Sequence, residues 1–281
     1  MEKTRSKKFT FSYFKKLRNL DNINAYISTR LPLLGTGSSR KVYGYSAGRV
    51  LKIAINESGL LQNAAELETY TNPKTKKVVA KIYSYGQSVD DSGKINWLLS
   101  EGVKPISTKQ SFINFSGGMD WELYKELVSK HGSCLLHPDK VHASSRGVEK
   151  DLENEFDYRV QYFRETGTEE DVEWYEKQKE KLQIILQTDL YSGVIECMKN
   201  SHLMPGDLLE IDHYGRTVDG YLVLLDYGFT KDIADELYIS RSIANNNTDG
   251  DSTNTFEQYN SFNTDVLLPA TKDLHLKSKK Q

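Results

Sequence analysis

Three carboxylates, Asp207, Asp212 and Asp226, fall within the stretch PGDLLEIDHYGRTVDGYLVLLDYGFT, residues 205–230. Acids brought together in a fold repel one another unless a proton or a cation intervenes. A divalent-cation site is the simplest resolution. Asp226 closes the apolar run LVLL at 222–225, so its charge stands at the end of a buried strand. A strand-end Asp capping its own backbone is the alternative reading of that residue alone.

The elements that must position these acids can be read from the same stretch. Residues 214–218 and 221–225 alternate as strands, and Asp219-Gly220 between them is a tight hairpin signal. A hairpin makes its two ends neighbours, which carries Asp207 and Asp212 toward Asp226. Upstream, LLGTGSSRKVY at 33–43 sets Gly35 and Gly37 in a turn between apolar strands, where exposed N–H groups can meet phosphate oxygens. Lys52 interrupts the apolar strand VLKIAI at 50–55, and a lysine buried in a strand requires a partner. Residues 57–70 have helical composition, with Leu60, Leu61, Ala64, Ala65 and Leu67 as a packed face, and offer Glu66 or Glu68 as that partner. Residues 78–85 and 95–101 complete a small sheet of five strands with one helix.

Composition narrows the function classes. A formal charge of −2 and a pI near 6.3 give no global attraction to nucleic acid or to an anionic membrane. The two cysteines, Cys134 and Cys197, lack metal-ligand spacing and are too few for a disulfide framework, so a reducing cytoplasm is expected. No apolar run reaches the length of a membrane span, and the start has no signal-peptide core. The first residues interleave Lys and Arg with Phe9, Phe11, Tyr13 and Phe14. Such an arm could grip nucleic acid or membrane; lack of a matching basic run elsewhere favours packing of its aromatics on its own domain.

The order of parts resembles the protein-kinase fold: glycine loop, strand lysine, helix glutamate, two further strands, a hinge, helices, a catalytic loop and an Asp-aromatic-Gly turn. The wording GTGSSRKVYGYSAGRVLKIAINESGLLQN looks particularly like the divergent kinase-like proteins encoded by bacteriophages, over roughly residues 33–230. The resemblance implies an α+β, two-lobed fold: a small antiparallel sheet plus helix as N-lobe, over a mainly helical, reduced C-lobe. It implies an arm at 1–29, an N-lobe at 30–104, a C-lobe with the catalytic hairpin at 105–240, and a polar tail at 241–281. Gly35, Gly37 and Ser38 would cover ATP phosphates, with Arg40 in place of a third glycine, reaching to phosphate or propping the loop. Lys52 would hold the phosphates, oriented by Glu66 with Glu68 as fallback, and Glu101 would lie at the adenine hinge. Asp207 would be the catalytic base, with Asp212 and Asp226 as Mg²⁺ ligands. A second register would make His202 the base and Asp207 a ligand.

The chain departs from the family where Pro205-Gly206 replaces His-Arg and Asp212 replaces Asn. The sequence after Asp226 shows no Ala-Pro-Glu motif, and residues 245–263 are polar enough for a loop. Between the hinge and the catalytic turn, helices are expected at 119–130, from a Thr168 capping box onward, and at 189–199, while the charged stretch 136–164 shows little periodicity. His131, His137 and His142 are taken as surface residues. The expected function is an ATP- and Mg²⁺-dependent phosphotransferase acting on a protein or small-molecule acceptor; a pseudokinase scaffold and transfer of a group other than phosphoryl stay open.

Overall fold

The computed structural model describes residues 8–88, 93–136, 147–167 and 169–235. All fall in one unit, Met1–Glu236. The architecture is mixed α+β. A five-stranded antiparallel sheet has the order β1-β2-β3-β5-β4, from β1 (Leu33–Thr36), β2 (Arg40–Ser46), β3 (Arg49–Ala54), β4 (Ile82–Gln87) and β5 (Ile95–Glu101).

Both faces of its centre are covered, which explains why β3 and β5 read as continuous apolar runs rather than alternating ones. Along β3 the side chains alternate. Leu51 and Ile53 point to one face, where Phe14, Ile23 and Ile27 of α1 (Phe11–Phe14) and α2 (Leu20–Ser28) pack with Tyr43, Trp97 and Leu99. Phe9, Phe11, Tyr26 and Tyr45 extend that cluster, so the N-terminal aromatics pack on the sheet. Lys52 takes the other face, beneath α3 (Glu57–Thr71).

Helix α3 starts at Asn56, whose side chain accepts the Gly59 amide. Its buried residues are Gly59, Leu60, Asn63, Glu66 and Thr69, a more polar face than the leucine and alanine set predicted. The polar members are satisfied: Asn63 donates to Ile95 O at 3.0 Å and Thr69 to Ala65 O at 2.8 Å.

The predicted strand over 78–85 begins only at Ile82. Residues 78–80 leave the sheet and bond the hairpin instead, Ala80 N to Leu224 O and Leu224 N to Val78 O, both at 2.8 Å. The hairpin pairs β7 (Tyr214–Arg216) with β8 (Leu222–Leu224), and β6 (Lys104–Pro105) adds a third strand on β7. Its turn is wider than the tight one expected: the Gly220 amide donates to Thr217 O and the Thr217 amide to Tyr221 O, with Gly220 at φ +92°. That left-handed backbone is what the glycine supplies.

Helices form the rest: α4 (Lys109–Phe115), α5 (Trp121–Leu136), α6 (Val148–Thr166), α7 (Glu169–Leu186) and α8 (Asp189–Ser201). Part of the charged stretch with little periodicity is the regular helix α6, because Leu152, Phe156 and Val160 form a buried stripe one residue wide. His131 is not a surface residue: it is buried, with Nε2 2.8 Å from Glu149 and 3.1 Å from Tyr191. Burial lowers its pKa in spite of Glu149. His137, His142, Thr168 and the tail from 241 lie outside the described residues. Among the described residues no helix is long and apolar enough to cross a membrane.

Candidate active site

The register between β2 and β3 pairs Arg40 with Ala54 and Val42 with Lys52, so Arg40 and Lys52 project from the same face of the sheet. Glu66 of α3 descends between them. Lys52 Nζ lies 2.8 and 2.7 Å from the two Glu66 oxygens, and a guanidinium nitrogen of Arg40 lies 2.6 Å from Glu66 Oε1. Glu66 has no exposed side-chain surface, and these two cations are the partners that a buried carboxylate requires. Glu68, the other candidate, is exposed.

The same cations reach the hairpin. Lys52 Nζ donates to Leu225 O at 2.6 Å, and the second terminal nitrogen of Arg40 lies 2.5 Å from Asp226 Oδ1. Asp226 is held in place from several sides. Leu224, two residues earlier, is bonded to residues 78–80; Tyr227 donates its hydroxyl to Ala80 O at 2.7 Å; Met204 N bonds Phe229 O at 3.0 Å. Gly228 packs against α3 so closely that an added Cβ would stand 2.6 Å from Gln62 O.

Asp207 sits in a 3₁₀ turn, Pro205–Leu209, on the other limb of the hairpin, and Asp212 in a second turn, Ile211–His213. Burial raises the Asp207 pKa to about 6, with Asp226 adding to the rise and His213 opposing it. Asp226 moves the opposite way. Desolvation pushes it up, but Arg40 and Lys52 outweigh that and hold it below its ordinary value. The two acids therefore share one electrostatic environment with different protonation behaviour. Asp212 is exposed, and among the described residues no group of three or more His, Cys, Asp or Glu is arranged to hold a metal.

The glycine loop lies over this network. Gly35 is exposed on β1, the Gly37 amide donates to Arg40 O at 2.8 Å, and Ser38 is exposed. Ser39, buried, anchors the loop to α3 by donating to Gln62 Oε1 at 2.7 Å. Arg40 thus props the loop from below and turns inward, not outward to the loop's open side. At Glu101, the expected hinge residue, the amide donates to Lys81 O at 2.7 Å, and the next amide, of Gly102, donates to Gly48 O at 2.8 Å.

His202 ends α8 in a left-handed conformation, φ 51°, with its side chain exposed. His213 was not anticipated. Its Nδ1 lies 2.7 Å from Asp207 O, tying the first turn to the start of β7, and only its place beside Asp212 could have drawn attention to it.

No protein-family model matches the chain, and no curated protein matches it. A solved structure to which it is similar is the streptomycin–ATP–APH(2")-IIa ternary complex, at 13% identity, covering 74% of this chain and 69% of that one, with a TM-score of 0.28. At that score the likeness carries no weight in assigning a function, which rests on the geometry of the site.

Proposed function

We propose that the chain is an ATP- and Mg²⁺-dependent phosphotransferase of the protein-kinase-like class. One observation carries the reading: Lys52, bonded to both oxygens of Glu66, also contacts the carbonyl immediately before Asp226. A cation oriented by a buried glutamate and set beside an acid is what phosphate positioning demands. In this reading residues 30–104 serve as the nucleotide lobe and 105–240 as the catalytic lobe. Gly35, Gly37 and Ser38 lie over the phosphates. The adenine edge meets the backbone at Val103, because the amides of Glu101 and Gly102 are engaged.

The donors at the hairpin fit Mg²⁺: they are carboxylate oxygens, and this ion takes one or two carboxylates with nucleotide phosphates rather than an all-protein cage. Asp226, with 41% of its side-chain surface exposed, and Asp212 would hold it, and it would neutralise charge on the transferring group. Asp207 accepts the proton of the acceptor hydroxyl as the new O–P bond forms and the bond to the leaving phosphate breaks. A pKa of about 6 leaves Asp207 mainly ionised at neutral pH while keeping it more basic than an ordinary carboxylate.

A scaffold that keeps the fold without turnover is the second reading, favoured by the occupation of Asp226 by Arg40. Incubation with ATP labelled at the γ or the α position separates the cases. Transfer of γ label to an acceptor or release as phosphate supports the phosphotransferase; α label on protein means nucleotidyl transfer; neither leaves the scaffold.

A further inference from the structure

We propose that Arg40 is a resident counter-cation for Asp226, displaced only by metal and nucleotide together, so that the site rejects metal alone. This rests on the reading that nucleotide phosphates lie between the glycine loop and Asp226.

Three observations converge on it. The guanidinium forks between two acids, 2.6 Å from Glu66 and 2.5 Å from Asp226, with a longer contact of 3.5 Å to Asn63. Arg40 is buried, whereas Asp226 keeps an exposed edge. Glu66 is completely enclosed and also binds Lys52, so it is the fixed end of the fork, and Asp226 is the end that can be exchanged.

Within the ion-paired set the charges balance: Arg40 and Lys52 face Glu66 and Asp226, two against two, with Asp207 close enough to act on both Asp226 and Arg40. A bare divalent cation would enter beside two fixed cations and meet their repulsion. The same ion carried by a triphosphate arrives with excess negative charge, which gives Arg40 a new partner as it leaves Asp226. Deprotonation of Arg40 cannot release Asp226, because an arginine stays protonated.

The backbone couples the loop to the switch. Arg40 O accepts the Gly37 amide, and its side chain carries the carboxylate contact, so the residue that shapes the loop also holds the acid. Glycine-loop position and Asp226 availability are two readouts of one residue, through its backbone carbonyl and its side chain.

The test titrates Mn²⁺, a paramagnetic divalent probe, into the full chain with and without a non-hydrolysable ATP analogue. Wild type is compared with Arg40→Lys, Arg40→Met and the double variant Arg40→Lys/Asp226→Asn. Lysine keeps the charge beside Glu66 but lacks the fork. The expected result is that Arg40→Lys binds Mn²⁺ alone about tenfold or more tightly than wild type, a coupling of ordinary allosteric size, and that the double variant loses the gain. Equal affinity for Mn²⁺ alone in wild type and Arg40→Lys overturns the proposal, as does a gain that persists without Asp226. If Arg40→Met does not fold, the Lys variant still decides. Failure of every form to bind the analogue would defeat the phosphotransferase reading separately, since the metal-only titration needs no nucleotide.

Discussion

The phenolic hydroxyl of Tyr227 donates to the carbonyl of Ala80 at 2.7 Å, fastening the turn that carries Asp226 to the segment that leaves the five-stranded sheet. Both groups are buried, so removing the hydroxyl strands the bond rather than exchanging it for water. Tyr227→Phe is expected to lose roughly 1–3 kcal/mol of stability in urea unfolding. Because the anchor lies directly beside Asp226, the variant should also weaken Mg²⁺-dependent nucleotide binding more than binding without metal. A variant with wild-type stability would show that the parallel bridge of Val79 with Leu224 holds the turn unaided.

Glu66 is the point on which both cations close. Glu66→Gln leaves Lys52 and Arg40 inside the fold with a neutral partner, and breaking one side of a buried ion pair typically costs about 3–5 kcal/mol. Chemical denaturation should show a loss in that range. Glu68→Gln, at an exposed position on the same helix, should change stability by less than about 0.5 kcal/mol.

The two hairpin acids give pH dependences of opposite sign. Asp207 has a folded pKa of about 6, above its ordinary 3.8, so the folded state binds this proton more tightly than the unfolded chain does. Its contribution to stability is therefore present below pH 3.8 and lost as pH rises to about 6. Asp226 is shifted down, so its contribution is present above pH 3.8 and lost as pH falls through its folded value. Urea midpoints of Asp207→Asn should gain on wild type between pH 3.8 and about 6 and run parallel above that. Phosphoryl transfer by wild type should rise through about pH 6 and be abolished in Asp207→Asn.

The sequence discloses the partners at the site better than their connections. Lys52 stands out because a charge in an apolar strand is anomalous, and Glu66 because it lies one element away at helical spacing. The inward turn of Arg40 was hidden, since it depends on the β2–β3 register that puts Arg40 and Lys52 on one face. The bonding of residues 78–80 to Leu224 was equally hidden: Val78, Val79 and Ala80 have strand composition, and only the tertiary fold decides which strand receives them. Helix α6 escaped because its buried stripe is just Leu152, Phe156 and Val160 amid charge.

Nucleotide binding itself is tested by thermal stability. A ligand that binds only the folded state at a hundredfold excess over its Kd adds about 2.7 kcal/mol, which for a unit of this size raises Tm by roughly 5 to 11 °C. Wild type should shift with ATP and shift further with Mg²⁺. Lys52→Ala should lose most of the ATP shift, because Lys52 Nζ is the cation held by Glu66 and Leu225 O. Asp226→Asn should keep the ATP shift and lose its enhancement by Mg²⁺. Asp207→Asn should keep both, since its part in the reaction is to take a proton. Retention of the Mg²⁺-enhanced shift in both Lys52→Ala and Asp226→Asn would place the nucleotide elsewhere, and the absence of any shift in wild type at millimolar ATP would favour the scaffold.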